Sequence, residues 1–141
     1  GQIQGVNIFN DSKATNYESA KLGLKAISAP VLLLAGGQPK QGDASGWLKQ
    51  IQRSACGVVL FGDGAAQLET TIKTSNFQGS IHSCPNLKQA VALAIELCRK
   101  LRAESLLLSP ACASFDQYQD FEERGDHFKK LIEPFLSSPT N

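Results

Sequence analysis

Short apolar runs recur along the chain: GVNIF at 5–9, PVLLLAG at 30–36, CGVVLFG at 56–62, GSIHS at 79–83 and ESLLLS at 104–109. Each has strand length. Several are apolar throughout rather than alternating, as strands covered on both faces should be. Between the runs the period changes. In NLKQAVALAIELCRKLRA, 86–103, the positions Leu87, Ala90, Val91, Ala94, Ile95, Cys98 and Leu101 repeat about every 3.6 residues, while Lys88, Glu96, Arg99 and Arg102 lie mostly elsewhere on the helix. This predicts a helix that packs one face on a sheet. Weaker helical patterns run over about 17–27, 44–53, 64–73 and 120–136. Strands alternating with helices along the whole chain predict an α/β fold: a three-layer, Rossmann-like domain with a mostly parallel sheet flanked by helices. No repeat, low-complexity tract or linker interrupts the pattern, so residues 1–141 read as one domain, with SSPTN at 137–141 as a loose end.

Composition narrows the function. Lys and Arg number 14 against 13 Asp and Glu, a formal charge of +1, so no global field draws the chain onto nucleic acid or an anionic membrane, and neither partner is expected. Any bound anion must be held locally. The apolar runs stop far short of the roughly 20 residues that cross a bilayer, and no targeting segment is visible, so a soluble, cytoplasmic protein is expected. Cys56, Cys84, Cys98 and Cys112 form no C-x-x-C pair and keep no ligand spacing with His82 or His127, so the expectation is small buried thiols and no metal site. The lack of Met and the start at Gly1, almost directly in a strand-like run, would suit a piece of a longer chain or a short protein.

In open α/β sheets ligands collect beyond the carboxyl ends of the strands, where helix starts point free N–H groups, so the loops after strands are the places to read. The first is NDSKATN at 10–16, with Asp11, Ser12, Lys13 and Thr15 crowded before a helix. Thr15 and Glu18 fit a T-x-x-E capping box, and Asn10 or Asp11 fit a simple turn. Lys13 fits neither, because a cation at a helix start is unfavourable unless an anion lies between them. The second loop, AGGQPKQGD, uses Gly36, Gly37 and Pro39 to bring Lys40 to its tip, either as a solvated lysine or as a second cation at the same edge. The third, FGDGAAQLE, begins like a dinucleotide fingerprint but has Gln67 at the sixth position, and it reads as a strand-to-helix turn. No G-x-x-x-x-G-K-[ST] segment is present, so this chain is not expected to grip ATP phosphates alone.

The loop after the last strand is the longest. In it, DFEE at 120–123 is a D-x-x-E capping pattern that puts Phe121 in the first turn of the final helix, its amide unused by that helix. The Phe121 ring reads, as the alternative, as a buried staple, and the ring can pack while the amide binds. Ser114 offers a hydroxyl, either to a ligand or to its own turn through Asp116 or Gln117. The edge thus collects two ammonium groups, two hydroxyls and a helix-start amide, donors suited to a small ligand with two separated negative groups, such as a dicarboxylate amino acid or a phosphate compound.

NDSKATN, the glycine turn leading to Lys40, and LLLSPACASFDQYQDFEERGDHF resemble the carboxy-terminal domain of the Mur ligase family, in its D-glutamate-adding branch. The resemblance runs from about Gly5 to Phe135, and other branches usually carry a histidine-containing sequence in place of DSKATN. It implies the third domain of a three-domain, ATP- and Mg2+-dependent ligase of peptidoglycan synthesis, whose amino-terminal UDP-sugar domain and central ATPase domain are not in this sequence. The implied partners are D-glutamate, UDP-N-acetylmuramoyl-L-alanine and ATP, in a monomer that is inactive as this domain alone. Residue by residue, it gives Lys13, Thr15, Lys40, Ser114 and Phe121 to D-glutamate and Asp11 to the ATP ribose, with no catalytic acid or base assigned in this domain and no metal or cofactor held by it alone. Tyr118 stands where a phenylalanine is common. The alternatives are a related ATP-dependent amino-acid ligase of folylpolyglutamate synthetase type, or a free-standing α/β module that binds an anion for regulation.

Overall fold

The computed structural model describes residues 1–137. The tail at 138–141, and with it most of the segment expected to be loose, lies outside the described residues. Six strands form one sheet: β1 (Gln2–Ile3), β2 (Val6–Asn10), β3 (Val31–Gly36), β4 (Ala55–Phe61), β5 (Ser80–Cys84) and β6 (Ser105–Leu108). The helices α1 (Tyr17–Lys25), α2 (Ser45–Ser54), α3 (Ala65–Lys73), α4 (Leu87–Lys100) and α5 (Phe121–Ile132) alternate with β2 to β6, and a short 3-10 turn, Glu133–Phe135, follows α5. The expected strands and helices are thus all present, and the fold is the three-layer Rossmann-like α/β arrangement.

The spatial order is β1-β2-β6-β3-β4-β5, parallel throughout except for β1, which runs antiparallel to β2. β1 is an addition to the expected strands. Two residues are too few to show a period, and the reversal at Gln4 and Gly5 places both in the positive-φ region, as a tight hairpin turn demands.

Alternate residues of the central strands feed two cores. Leu32, Leu34, Val59, Phe61, Leu106 and Leu108 face α4 and α5, meeting Leu87, Val91, Ala94, Cys98, Phe128 and Ile132. Val31, Leu33, Ala35, Val58, Leu60 and Leu107 face the other way, toward Leu24 of α1, Trp47 and Ile51 of α2, and Leu68 and Ile72 of α3. Burial on both faces explains why β3, β4 and β6 read as unbroken apolar runs.

This two-sided packing positions the site. The connection after β6 leads to α5 on one face, whereas those after its neighbours β2 and β3 lead to α1 and α2 on the other. A crevice opens where neighbouring connections part in this way, at the carboxyl end of the strands. Asn10, Gly36 and Leu108 are the last residues of β2, β3 and β6 at this edge.

Candidate functional site at the carboxyl edge

Main-chain bonds tie the loops at this edge together. The Asp11 amide donates to the Leu108 carbonyl (2.7 Å), the Ala111 amide to the Ala14 carbonyl (2.9 Å) and the Gly36 amide to the Pro110 carbonyl (3.0 Å). Gln38 and Ala113 exchange both backbone bonds, at 2.8 and 3.0 Å, and so staple the glycine turn to the last loop. Gly37 permits that approach: its φ is +126°, and a Cβ there would lie 2.4 Å from the Ala113 carbonyl oxygen. The third loop is also anchored here, through the Asp63 amide donating to Asp116 Oδ2 at 3.0 Å. Gly64 stands at the N-cap of α3, so FGDGAAQLE is a strand-to-helix turn.

Two expectations are corrected. Thr15 does not cap α1. The N-cap is Asn16, whose Oδ1 accepts from the Ser19 amide at 2.9 Å. Thr15 is left for another partner, and Lys40 Nζ donates to its hydroxyl at 3.4 Å. The Phe121 ring is not a buried staple either, being 38% exposed. The capping pattern at α5 is present: Asp120 Oδ1 accepts from the Glu123 amide at 2.8 Å, which makes Phe121 the first helical residue. Its N–H therefore has no intrahelical acceptor. Ser114 is buried, and the turn after it is closed by its carbonyl, which accepts from the Gln117 and Tyr118 amides, not by its hydroxyl.

Four of the five residues expected at the amino-acid site line one hollow of about 310 Å³: Thr15, Lys40, Ser114 and Phe121, with Ala113, Phe115, Asp120 and Glu122. Lys13 does not line it. Lys13 borders two adjoining hollows, one shared with Ser12, Phe121 and Glu122, the other with Asp11, Ser19, Leu22 and Gly23. Asp11 Oδ2 accepts from Ser109 Oγ at 3.0 Å, and burial raises its carboxyl above the ordinary value, against the opposing effects of Ser109 and Lys13. Gly23 makes room for that carboxylate, since a Cβ on Gly23 would fall 2.1 Å from Asp11 Oδ2.

Three features of the edge lie outside the sequence expectations. Asp120 and Glu122 bring negative charge into the main hollow; the capping pattern accounts for Asp120 but not for Glu122. Arg124 is wholly buried, donating from Nε to Ser12 Oγ (3.0 Å), from Nη2 to the Ser12 carbonyl (2.7 Å) and from Nη1 to the Cys112 carbonyl (3.0 Å). Its signal in the sequence is its place in the stripe Arg124, Phe128, Ile132, where α5 is otherwise apolar. Tyr118 has a partner for its hydroxyl in His127 Nδ1 at 2.6 Å.

The family model described as "Mur ligase, glutamate ligase domain" matches residues 1–112. The chain belongs to the Mur ligase family. Among relatives of this Mur ligase domain, the UDP-N-acetylmuramoylalanine--D-glutamate ligase of Prochlorococcus marinus (strain MIT 9313) is 60% identical over 138 residues, 98% of this chain and 30% of that protein. The proteins of the same name from Synechococcus sp. (strain CC9902) and Synechococcus elongatus are 56% and 46% identical, over 96% and 92% of this chain and 29% and 28% of theirs. The Mur ligase domain thus spans about 30% of the length of the first of these relatives. None of the described helices is long and apolar enough to cross a membrane.

Proposed function

We propose that this chain is the amino-acid-binding third domain of a cytoplasmic, monomeric, ATP-dependent ligase that joins D-glutamate to UDP-N-acetylmuramoyl-L-alanine. The observation that carries this reading is the convergence of Thr15, Lys40, Ser114 and Phe121, from loops after three different strands, on one hollow. The names of the relatives support the choice of amino acid.

Each group has a task that follows from its chemistry. Lys40 pairs with one carboxylate of a dianionic amino acid, and Lys13, across Phe121 and Glu122, adds its charge from the adjoining hollow. Two cations matter because the dianion must approach an acyl phosphate that is itself anionic. The hydroxyls of Thr15 and Ser114 and the Phe121 amide fix the remaining oxygens, which orients the amine toward the reacting carbonyl. Asp120 and Glu122 suit the substrate's ammonium group. These are positioning roles, and none of them calls for a catalytic acid or base from this domain.

ATP is a substrate of the parent ligase. The Asp11 hollow fits a ribose diol: it offers a carboxylate acceptor fixed from one side by Ser109, with space kept open by Gly23 and an apolar wall at Leu22. Mg2+ travels with the nucleotide phosphates, which the central domain holds, so this domain by itself binds no metal. Neither nucleic acid nor membrane is a partner.

The test is substrate use by the parent ligase, with the 141-residue chain as comparison. The reading predicts ADP release with D-glutamate, little with L-glutamate or diamino acids, and none from the isolated chain with the full substrate set. Preference for another amino acid would overturn the substrate assignment, and turnover by the pure chain would overturn the division of labour.

A further inference from the structure

We infer that Arg124 is a positioning residue of the amino-acid site: one guanidinium fixes the two loops and the helix start that carry Lys13, Thr15, Ser114 and Phe121. This rests on the reading proposed above, in which Arg124 has no part.

Arg124 occupies a place where packing alone would favour an apolar side chain. It is fully buried on the stripe that continues through Phe128 and Ile132. Its acceptors are the Ser12 hydroxyl and the carbonyls of Ser12 and Cys112, all neutral. Among the described residues no carboxylate lies within ion-pair distance of it. Burial depresses its pKa to about 10, so it keeps its charge at neutral pH and bears the desolvation cost. A leucine or methionine would fill the stripe without that cost.

An apolar residue could not reproduce the connectivity. Ser12 stands between Asp11 and Lys13, and Cys112 precedes Ser114 by two residues. The Ser12 hydroxyl that accepts from Nε also donates to the Phe121 carbonyl, at 2.7 Å. The guanidinium therefore holds the β2 loop, the β6 loop and the start of α5 in one frame. One glycine leaves space for the guanidinium and another for the Ser12 loop. A Cβ on Gly37 would stand 3.0 Å from Nη1, and one on Gly125 would stand 3.2 Å from the Ser12 Cβ. The fork is needed as well as the charge, because a lysine's single nitrogen cannot meet three acceptors spread over two segments.

The experiment compares Arg124→Lys, Ser12→Ala and the double variant in the parent ligase, measuring Tm, kcat and the KM of D-glutamate and of UDP-N-acetylmuramoyl-L-alanine. Arg124→Lys should raise the KM of D-glutamate about tenfold, the loss expected when charge-assisted bonds fail, and leave that of the UDP substrate within about twofold. Ser12→Ala should raise it about threefold, and the double variant should stay near Arg124→Lys, below the product of the two single effects relative to wild type, because the bonds share one path. A purely structural Arg124 would lower Tm and kcat with the KM of D-glutamate unchanged, and that result would overturn the inference. If Arg124→Lys does not fold, an unchanged KM of D-glutamate in folded Ser12→Ala overturns it. Wild-type enzyme that does not use D-glutamate would instead remove the functional reading on which the inference stands.

Discussion

Lys40 Nζ lies 3.4 Å from Thr15 Oγ1, although 25 residues separate them in the chain. The contact exists because the α1 cap falls on Asn16, one residue later than the T-x-x-E pattern suggests, and because the Gln38–Ala113 bridge pulls the glycine turn inward. Thr15 is thus a surface hydroxyl with a cationic neighbour and no part in starting the helix. Asn16→Ala should cost about 1 kcal/mol of stability, the usual loss of a side-chain cap. Thr15→Val should change stability by no more than about 0.5 kcal/mol. Urea unfolding of the two variants separates these outcomes, and the reverse order would return the cap to Thr15.

Gly37 is where backbone conformation and site geometry meet. With φ at +126° and a Cβ destined for 2.4 Å from the Ala113 carbonyl, Gly37→Ala must strain the turn and open the bridge that delivers Lys40. The expected loss is more than about 1 kcal/mol. Gly46→Ala is the control, since a Cβ there meets only the flexible Lys21 side chain, at 3.3 Å, and helix α2 should gain about 0.5 kcal/mol. Thermal unfolding of both proteins checks the contrast.

Asp11 gives the pH dependence a definite sign. Its folded-state carboxyl titrates above the ordinary value of 3.8, with burial as the largest cause. Between the unfolded and folded values the folded chain therefore binds the extra proton, and stability falls as pH rises through that window. Asp11→Asn removes this contribution. The Tm difference, variant minus wild type, should grow as pH rises from about 3 to about 6. A shrinking difference would mean that Ser109 and Lys13 outweigh burial.

All four cysteines are free, and burial pushes the thiols of Cys98 and Cys112 up to about 12. The thiolate is the reactive form, so these two should resist iodoacetamide at about pH 8 in the folded protein and react only on unfolding. Intact mass should show at most labels on Cys56 and Cys84 before denaturation. Early labelling of Cys112 would mean that the last loop opens readily.

Most of the fold was legible because burial writes plainly in sequence. Val31 to Ala35 and Val58 to Phe61 are buried on both faces and left no alternation to misread. β1 was not legible, since Ile3 is its single buried residue and Gln4–Gly5 is not among the strong hairpin dipeptides. The site was legible where a residue type conflicted with its surroundings, as with Lys13 at a helix start, or stood at the tip of a glycine turn, as with Lys40. It was obscured where two local patterns overlapped: Thr15 with Glu18 and Asn16 with Ser19 both offer caps, and asparagine is the better capping residue. Arg124 stayed hidden because a charged residue on a helix reads as solvent-facing, and only its register with Phe128 and Ile132 marks it as buried.

The most direct test of the account is the kinetics of Lys40→Ala in the parent ligase, with D-glutamate, ATP and UDP-N-acetylmuramoyl-L-alanine varied in turn. Loss of the cation beside Thr15 should raise the KM of D-glutamate by at least about tenfold while the KM of each other substrate stays within about twofold. An unchanged KM of D-glutamate would contradict the account and take the amino acid out of the hollow formed by Thr15, Lys40, Ser114 and Phe121.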